Sequence, residues 1–378
     1  MDGCIGFVQT AMPLLAIRYG ASPLLLGNMW SVAQGLRLPV CMTTGMLSEK
    51  VGRTRVIIPA AALATLTAIG LAFAANNTQV LIYYILFMVS VGAFYPSLQA
   101  FIGDNSLKGE LRKNLSAFNV GWTVGGSACT LIAGYLFAVH KAWPFAVGAL
   151  VAAGSIWLVW AWSRLHLSER GRALVDGNDI DPLLASSTGS PGPLLPIARS
   201  AHFVGFLGYS AIRSMFPKLG YSLGYSDGTI GLLLGVMLIG QAVGIFVAGA
   251  GPWWRGKLWP LVMSLLMAVI SGLAITVVES KALYAAAFLI QGTSLGIAYT
   301  QALYYGLQAR TKMGKNSGIH ESLVAAGNIA GGLVGGVAAQ FISLRAPYAV
   351  YAGIAGLMLV AGLIYWQVSP KPVSGQRI

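Results

Sequence analysis

The chain has 378 residues, 56% of them hydrophobic and only 9% charged, with a mean hydropathy of +0.71. A soluble domain carries about 25% charged residues, so this composition excludes a self-solvating globule and makes the bilayer the solvent. The formal net charge of +13 would suit a nucleic-acid binder, but the positions of the cations along the chain exclude that reading.

Apolar runs recur twelve times, over residues 3–20, 23–47, 56–75, 79–102, 116–138, 143–163, 199–219, 229–250, 258–278, 282–306, 317–342 and 347–367. Each is close to the roughly 20 residues that cross a hydrocarbon layer as a helix. Lipid offers backbone groups no partner, so the runs are expected to be helices; a barrel would show shorter, alternating segments. The expected fold class is an all-α integral membrane protein with 12 transmembrane helices in two pseudo-symmetric six-helix bundles. The expected division is 1–163 for the N-terminal bundle, 164–198 for a cytoplasmic linker, 199–367 for the C-terminal bundle and 368–378 for a cytoplasmic tail. The first run starts close to Met1 without the basic segment of a signal peptide; either that helix is short or the native start lies upstream.

With the amino terminus inside, seventeen of the 24 Lys and Arg fall on the cytoplasmic side and five on the opposite side, leaving Arg37 and Arg213 inside spans. That asymmetry is the positive-inside rule. It explains the basic charge as topology, places both termini in the cytoplasm and fits a bacterial inner membrane. No nucleic-acid partner is expected. Nor is an enzyme: no nucleophile–base constellation is present, and Cys4, Cys41 and Cys129 lack metal-ligand spacing. No cofactor or metal is expected.

The second run holds Trp30, Gln34, Arg37 and Cys41 on one helical stripe. An ionisable group in a span is costly and usually faces a cavity, so Arg37 is a candidate solute ligand; the alternative is a structural bond to carbonyls around Pro39. A short charged turn then follows, Gly45-Met46-Leu47-Ser48-Glu49-Lys50-Val51-Gly52-Arg53-Thr54-Arg55. It closely resembles the signature between the second and third helices of the major facilitator superfamily. The resemblance implies a solute site near the bilayer midplane between two six-helix halves, and alternating access. It also implies a cytoplasmic gate, with Gly45, Glu49, Gly52 and Arg53 in the loop and Asp104 and Glu321 as partners at the ends of spans four and eleven. Glu321 has the alternative of a helix-start acid favoured by the helix dipole.

In the fourth run Tyr84, Met88, Val91, Tyr95 and Gln99 share a face, and Tyr95 and Gln99 are candidate pocket residues. The linker contains four acids and Ser186-Ser187-Thr188-Gly189-Ser190-Pro191-Gly192-Pro193, a composition that buries nothing and reads as a tether; a short amphipathic helix near 165–175 is compatible with it.

The second half repeats the first with a displacement of 204 residues. Gly20 and Ser22 meet Gly224 and Ser226, Gly52-Arg53 meets Gly256-Lys257, and Tyr95 meets Tyr299. Arg213 then matches Gln9 and Arg37 matches Gln241, so each half offers one arginine opposite a glutamine. These four, with Gln34, Gln291 and Tyr299, complete the candidate solute ligands. Arg213 has snorkelling to the outer interface as its alternative. The copy of the signature loop, Gly251–Lys257, carries Trp253 and Trp254, expected as interfacial anchors.

No Asp or Glu lies in the middle of spans one, four, seven or ten. Together with the two arginines this leans toward a small anionic organic solute. The alternatives are efflux of amphipathic or cationic drugs, or a non-transporting sensor on the same fold. The expected partners are the solute, the lipid bilayer and a coupling ion of unknown identity, with the chain acting as a monomer.

Overall fold

The computed structural model describes residues 1–105, 111–165, 192–307 and 313–369. They form twelve helices: α1 (Asp2–Arg18), α2 (Pro23–Val51), α3 (Arg53–Phe73), α4 (Asn77–Asn105), α5 (Leu111–Val139), α6 (Trp143–Leu165), α7 (Leu194–Ser222), α8 (Asp227–Gly249), α9 (Trp259–Val277), α10 (Lys281–Leu307), α11 (Met313–Phe341) and α12 (Ala346–Val368). Among the described residues nine are long and apolar enough to cross a membrane. The three outside that set, α1, α2 and α7, are the helices that carry Gln9, then Gln34 and Arg37, then His202 and Arg213. The expected linker helix near 165–175 lies outside the described residues.

The chain divides into two compact units. The first comprises Met1–Ala21, Val32–Asp181 and Ser226–Leu232. Within it α3 packs on α4 and α6, and α1 on α5 and α6. Ile57, Ala61, Phe94 and Phe101 form one buried cluster, with Phe101 edge-on to Trp162 at 4.8 Å. The start of α8 joins this unit because Gly231 lets its backbone approach Gly134 on α5. At the same place Arg18 pairs with Asp227 at 2.8 Å and lies over the Phe137 ring.

The second unit comprises Ser22–Ser31, Pro182–Tyr225 and Leu233–Ile378. Here α7 packs on α11 and α10, and α9 on α10 and α12. The start of α2 joins it through Gly27, which sits against Gly332 and Gly336, while Ser31 Oγ donates to the Ile329 carbonyl at 2.8 Å.

The 204-residue repeat extends to single backbone torsions. Gly20 and its counterpart Gly224 have φ of 77° and 75°, and Gly52 and Gly256 have φ of 100° and 68°. L-residues avoid that region, so glycine is needed at these turns. Around the first pair even the hydrogen bonds match: Ala21 N donates to Ala16 O, and Tyr225 N to Gly220 O. Ser22 Oγ accepts from Leu25 N, and Ser226 Oγ from Thr229 N.

Two expectations need correction. The signature stretch is not an open turn: α2 continues through Glu49 to Val51, and Gly52 alone breaks the chain before α3. Its polar residues carry the helix past the hydrocarbon, where hydropathy no longer marks it. Trp254 is not an interfacial anchor either. Its indole is buried among Leu194, Leu261 and Tyr305 and donates to the Ala248 carbonyl at 2.6 Å. Trp253 donates to the Val247 carbonyl at 3.0 Å. The two rings thereby cap carbonyls that α8 leaves unsatisfied at its end.

Small residues set the helix spacing. A Cβ on Gly292 of α10 would lie 1.9 Å from the Met237 carbonyl oxygen of α8, whereas one on Gly154 of α6 would meet nothing within 4 Å. Gly292→Ala is therefore expected to cost about 1–3 kcal/mol through overpacking. Gly154→Ala should be neutral or gain up to about 1 kcal/mol from helix propensity. Thermal unfolding of the two variants in detergent tests the contrast, and equal melting temperatures would contradict it.

Candidate functional site

In the first unit, α1 and α4 run antiparallel and meet through two polar rungs. Tyr95 Oη donates to the Asp2 carboxylate, and Gln9 Nε2 points at Met88 Sδ at 3.7 Å. The rungs are seven residues apart on both helices, two turns, which puts them on one face. Asp2 and Arg37 both lie within electrostatic reach of the Tyr95 hydroxyl. The sequence reading missed Asp2, because it looked for carboxylates in the middle of spans and Asp2 stands at the start of α1.

Arg37 is half-buried, its stem laid against Gly92 of α4, where a Cβ would come within 3.1 Å of Cγ. Its guanidinium reaches Gln34 Oε1 at 3.5 Å, and its Nε has no partner. Among the described residues it has no ion-pair partner, and it does not bond the carbonyls around Pro39. Gln34 is buried; Gln99 is exposed. The structure thus brings Tyr95, Gln34 and Arg37 together with Asp2, and Gln99 lies one turn beyond Tyr95 on α4 with its side chain exposed.

In the second unit Arg213 is 1% exposed, with its guanidinium 5.5 Å from the Tyr209 ring centroid. A snorkelled side chain would be exposed at its tip, so that alternative is not realised. Gln241 is buried on α8. Gln291 is committed to structural bonds: its Nε2 donates to the Gly205 carbonyl at 3.2 Å, and it accepts from Tyr351 Oη. Tyr299 packs against His202 and His320, at ring-centroid distances of 5.6 and 4.9 Å. The repeat has diverged here, since Phe206 of α7 stands where the first unit has Asp2.

At the break between α2 and α3, Arg53 gathers four groups. Nε donates to Asp104 Oδ2 at 2.8 Å, Nη1 to Ser48 Oγ at 2.7 Å and to the Gly45 carbonyl at 3.4 Å. Glu49 lies at 3.8 Å and faces solvent, 66% exposed. Glu321 falls in the third turn of α11, which begins at Met313, so it is not a helix-start acid. The helix extends beyond the apolar run through polar residues such as Asn316, and the hydropathy boundary placed its start too late.

The sequence profile of the Major Facilitator Superfamily matches residues 3–195 and 200–377. The chain belongs to the major facilitator superfamily. No curated protein matches it in sequence. Among solved structures, the nucleoside transporter NupG is similar at 9% identity and TM-score 0.71, covering 97% of this chain and 98% of NupG. The peptide transporter POT is 17% identical, TM-score 0.68, over 97% of this chain and 92% of its own. An inward-facing, occupied bacterial homologue of the human lysosomal transporter Spinster is 15% identical, TM-score 0.66, over the same shares, 97% and 92%. At these identities the likeness is one of fold. As a member of the superfamily the chain is a multi-pass membrane transporter and not an enzyme.

The α1–α4 rungs differ in strength. Tyr95→Phe removes a hydrogen bond to a charged acceptor and is expected to cost about 1.5–3 kcal/mol. Met88→Leu, which trades a weak N–H···S contact for an isosteric apolar group, should cost under about 1.5 kcal/mol. Thermal unfolding in detergent measures both; an unaffected Tyr95→Phe would show that Asp2 is held by something else.

Proposed function

We propose that this superfamily member transports a small organic solute bearing a carboxylate, phosphate or sulfate, and that Arg37 recognises the anionic group. The observation that carries the reading is the Arg37 guanidinium: it lies within a span, and among the described residues its Nε is without a hydrogen bond and its one side-chain hydrogen bond is a long one to Gln34. A cation at membrane depth is costly unless compensated. An oxyanion would complete it through charge-assisted, bidentate hydrogen bonds. Gln34, Gln9 and Tyr95 in the first unit would supply neutral contacts. In the second unit the buried Arg213, with Gln241 and Tyr299, supports the same preference. Gln291 contributes through its bonds to Gly205 and Tyr351 rather than by touching solute.

In this reading Gly45, Glu49, Gly52, Arg53, Asp104 and Glu321 form the gate, with Arg53 as the hub of its α2–α4 side. The membrane is a bacterial inner membrane with both termini cytoplasmic, and the chain works as a monomer.

Asp2 favours a second reading. A carboxylate bonded to Tyr95 is the group a cationic or amphipathic solute would seek, and efflux of such compounds would use it. Thermal unfolding in detergent with a panel of organic anions and hydrophobic cations separates the two. A ligand that binds only the folded state at a hundred times its Kd adds about 2.7 kcal/mol of apparent stability. We expect an organic anion to stabilise wild type and Asp2→Asn but not Arg37→Gln. Stabilisation of wild type and Arg37→Gln alike by hydrophobic cations, lost in Asp2→Asn, would overturn the anionic reading.

A further inference from the structure

Two imidazoles are buried against each other in the second unit. His202 of α7 and His320 of α11 stack face to face, centroids 4.2 Å apart and planes 19° from parallel. Both side chains are buried, and none of the four ring nitrogens makes a hydrogen bond of ordinary geometry, the His320 backbone being the polar group that approaches the His202 ring. Buried polar atoms are almost always satisfied, so four orphans in one place call for a cause. Aromatic rings enclose them: Phe206 is edge-on to His202 at 5.1 Å, and Tyr299 is edge-on to His320 at 4.9 Å. One turn toward the starts of the same two helices, Arg199 Nη2 donates to Asn316 Oδ1 at 2.8 Å. The α7–α11 seam therefore carries an arginine–amide rung and then the imidazole stack.

The geometry limits what the stack can bind. Nitrogen lone pairs lie in the ring planes, and two nearly parallel planes do not converge on one metal ion. Among the described residues no group of three or more His, Cys, Asp and Glu surrounds the pair. The rings cannot hydrogen-bond each other either, since in-plane N–H groups miss a stacked neighbour. A proton needs only one nitrogen. Two charged rings at 4.2 Å would repel strongly in a low-dielectric site, so the pair holds one.

We propose that His202 and His320 form a one-proton binding site, the coupling-ion site of this transporter. The proton comes from water onto one open ring nitrogen, adds one positive charge to the stack, and leaves from the same atom. Among the described residues, Arg199 from α7 bears electrostatically on the pair, Tyr299 from α10 packs on both rings, and Glu321 from α11 bears on the Tyr299 hydroxyl. Arg199 opposes protonation. Loading the pair therefore places like charges one turn apart and strains the Arg199–Asn316 rung, which links proton binding to the packing of α7 on α11. The site does not depend on the charge of the transported solute.

The test uses the full chain in proteoliposomes on a solid-supported membrane, with a proton jump as the only stimulus and no solute. Wild type should give a saturable charge displacement with a single midpoint. His320→Asn should lose it, and His140→Gln, at an exposed turn, should keep it. Arg199→Gln should raise the midpoint by on the order of one pH unit, as expected for removing a nearby unit charge. If His320→Asn does not fold, the Arg199→Gln shift decides. A wild type without displacement, a His320→Asn curve equal to wild type, or an unmoved midpoint in Arg199→Gln would overturn the assignment.

Discussion

The bilayer supplies no hydrogen-bond partner, and this constraint shapes the whole chain. Every backbone amide in a span must be satisfied within its own helix, which is why the described residues in the spans are helical. Many side-chain hydroxyls obey it as well, though those of Ser97, Ser127, Tyr284 and Tyr348 are buried without a hydrogen bond. Thr67 bonds the Leu63 carbonyl, Ser90 the Phe87 carbonyl and Ser210 the Asn328 carbonyl, so each hydroxyl is neutralised locally or across one seam. Against that background a set of buried polar atoms is left without a hydrogen bond among the described residues, including Arg37 Nε, both amide atoms of Gln301, the Tyr284 and Tyr348 hydroxyls, and the nitrogens of His202 and His320. Ionisable groups at membrane depth are costly, which makes Arg37 and the two histidines candidates for a functional role.

The duplicated architecture shows how function is laid over a common frame. Turn geometry has been retained, down to the positive φ of Gly20 and Gly224 and of Gly52 and Gly256. Side-chain chemistry has not. The first half keeps an acid–phenol bond between α1 and α4, while the second has an aromatic and imidazole cluster at the matching positions of α7 and α10. The charged network around Arg53 has its counterpart in a pair of tryptophans that close the end of α8, with Arg255 over the Tyr304 ring at 4.8 Å. One frame therefore carries a charged hinge in one half and an aromatic clamp in the other.

Much of the fold was legible in the sequence because lipid makes hydropathy nearly decisive. Twelve runs, the repeat and the Gly-Arg signature led to twelve helices and to the superfamily. Helix ends were less legible: α2 and α11 extend beyond their apolar runs through polar residues, where hydropathy is silent, and α7 starts at Leu194, five residues before its expected run. At the site, a mid-span arginine was visible as an anomaly of composition. The neighbour Asp2 was not, because only the antiparallel pairing of α1 with α4 brings residue 2 to residue 95. The His202–His320 stack likewise depends on a contact 118 residues apart in sequence, and neither residue alone departs from what a core histidine looks like. Trp254 was misread because a tryptophan beside an arginine has the same local signature whether it anchors at an interface or caps a helix.

The central claim is that an unsatisfied arginine in α2 selects the transported solute. The most direct measurement is counterflow exchange in proteoliposomes, using the organic anion that binds best and comparing wild type, Arg37→Lys and Arg37→Gln. Exchange that is lost in Arg37→Gln, and only partly kept by the point charge of lysine, is the expected result. Equal exchange by wild type and Arg37→Gln would show that the guanidinium serves the fold and not the solute.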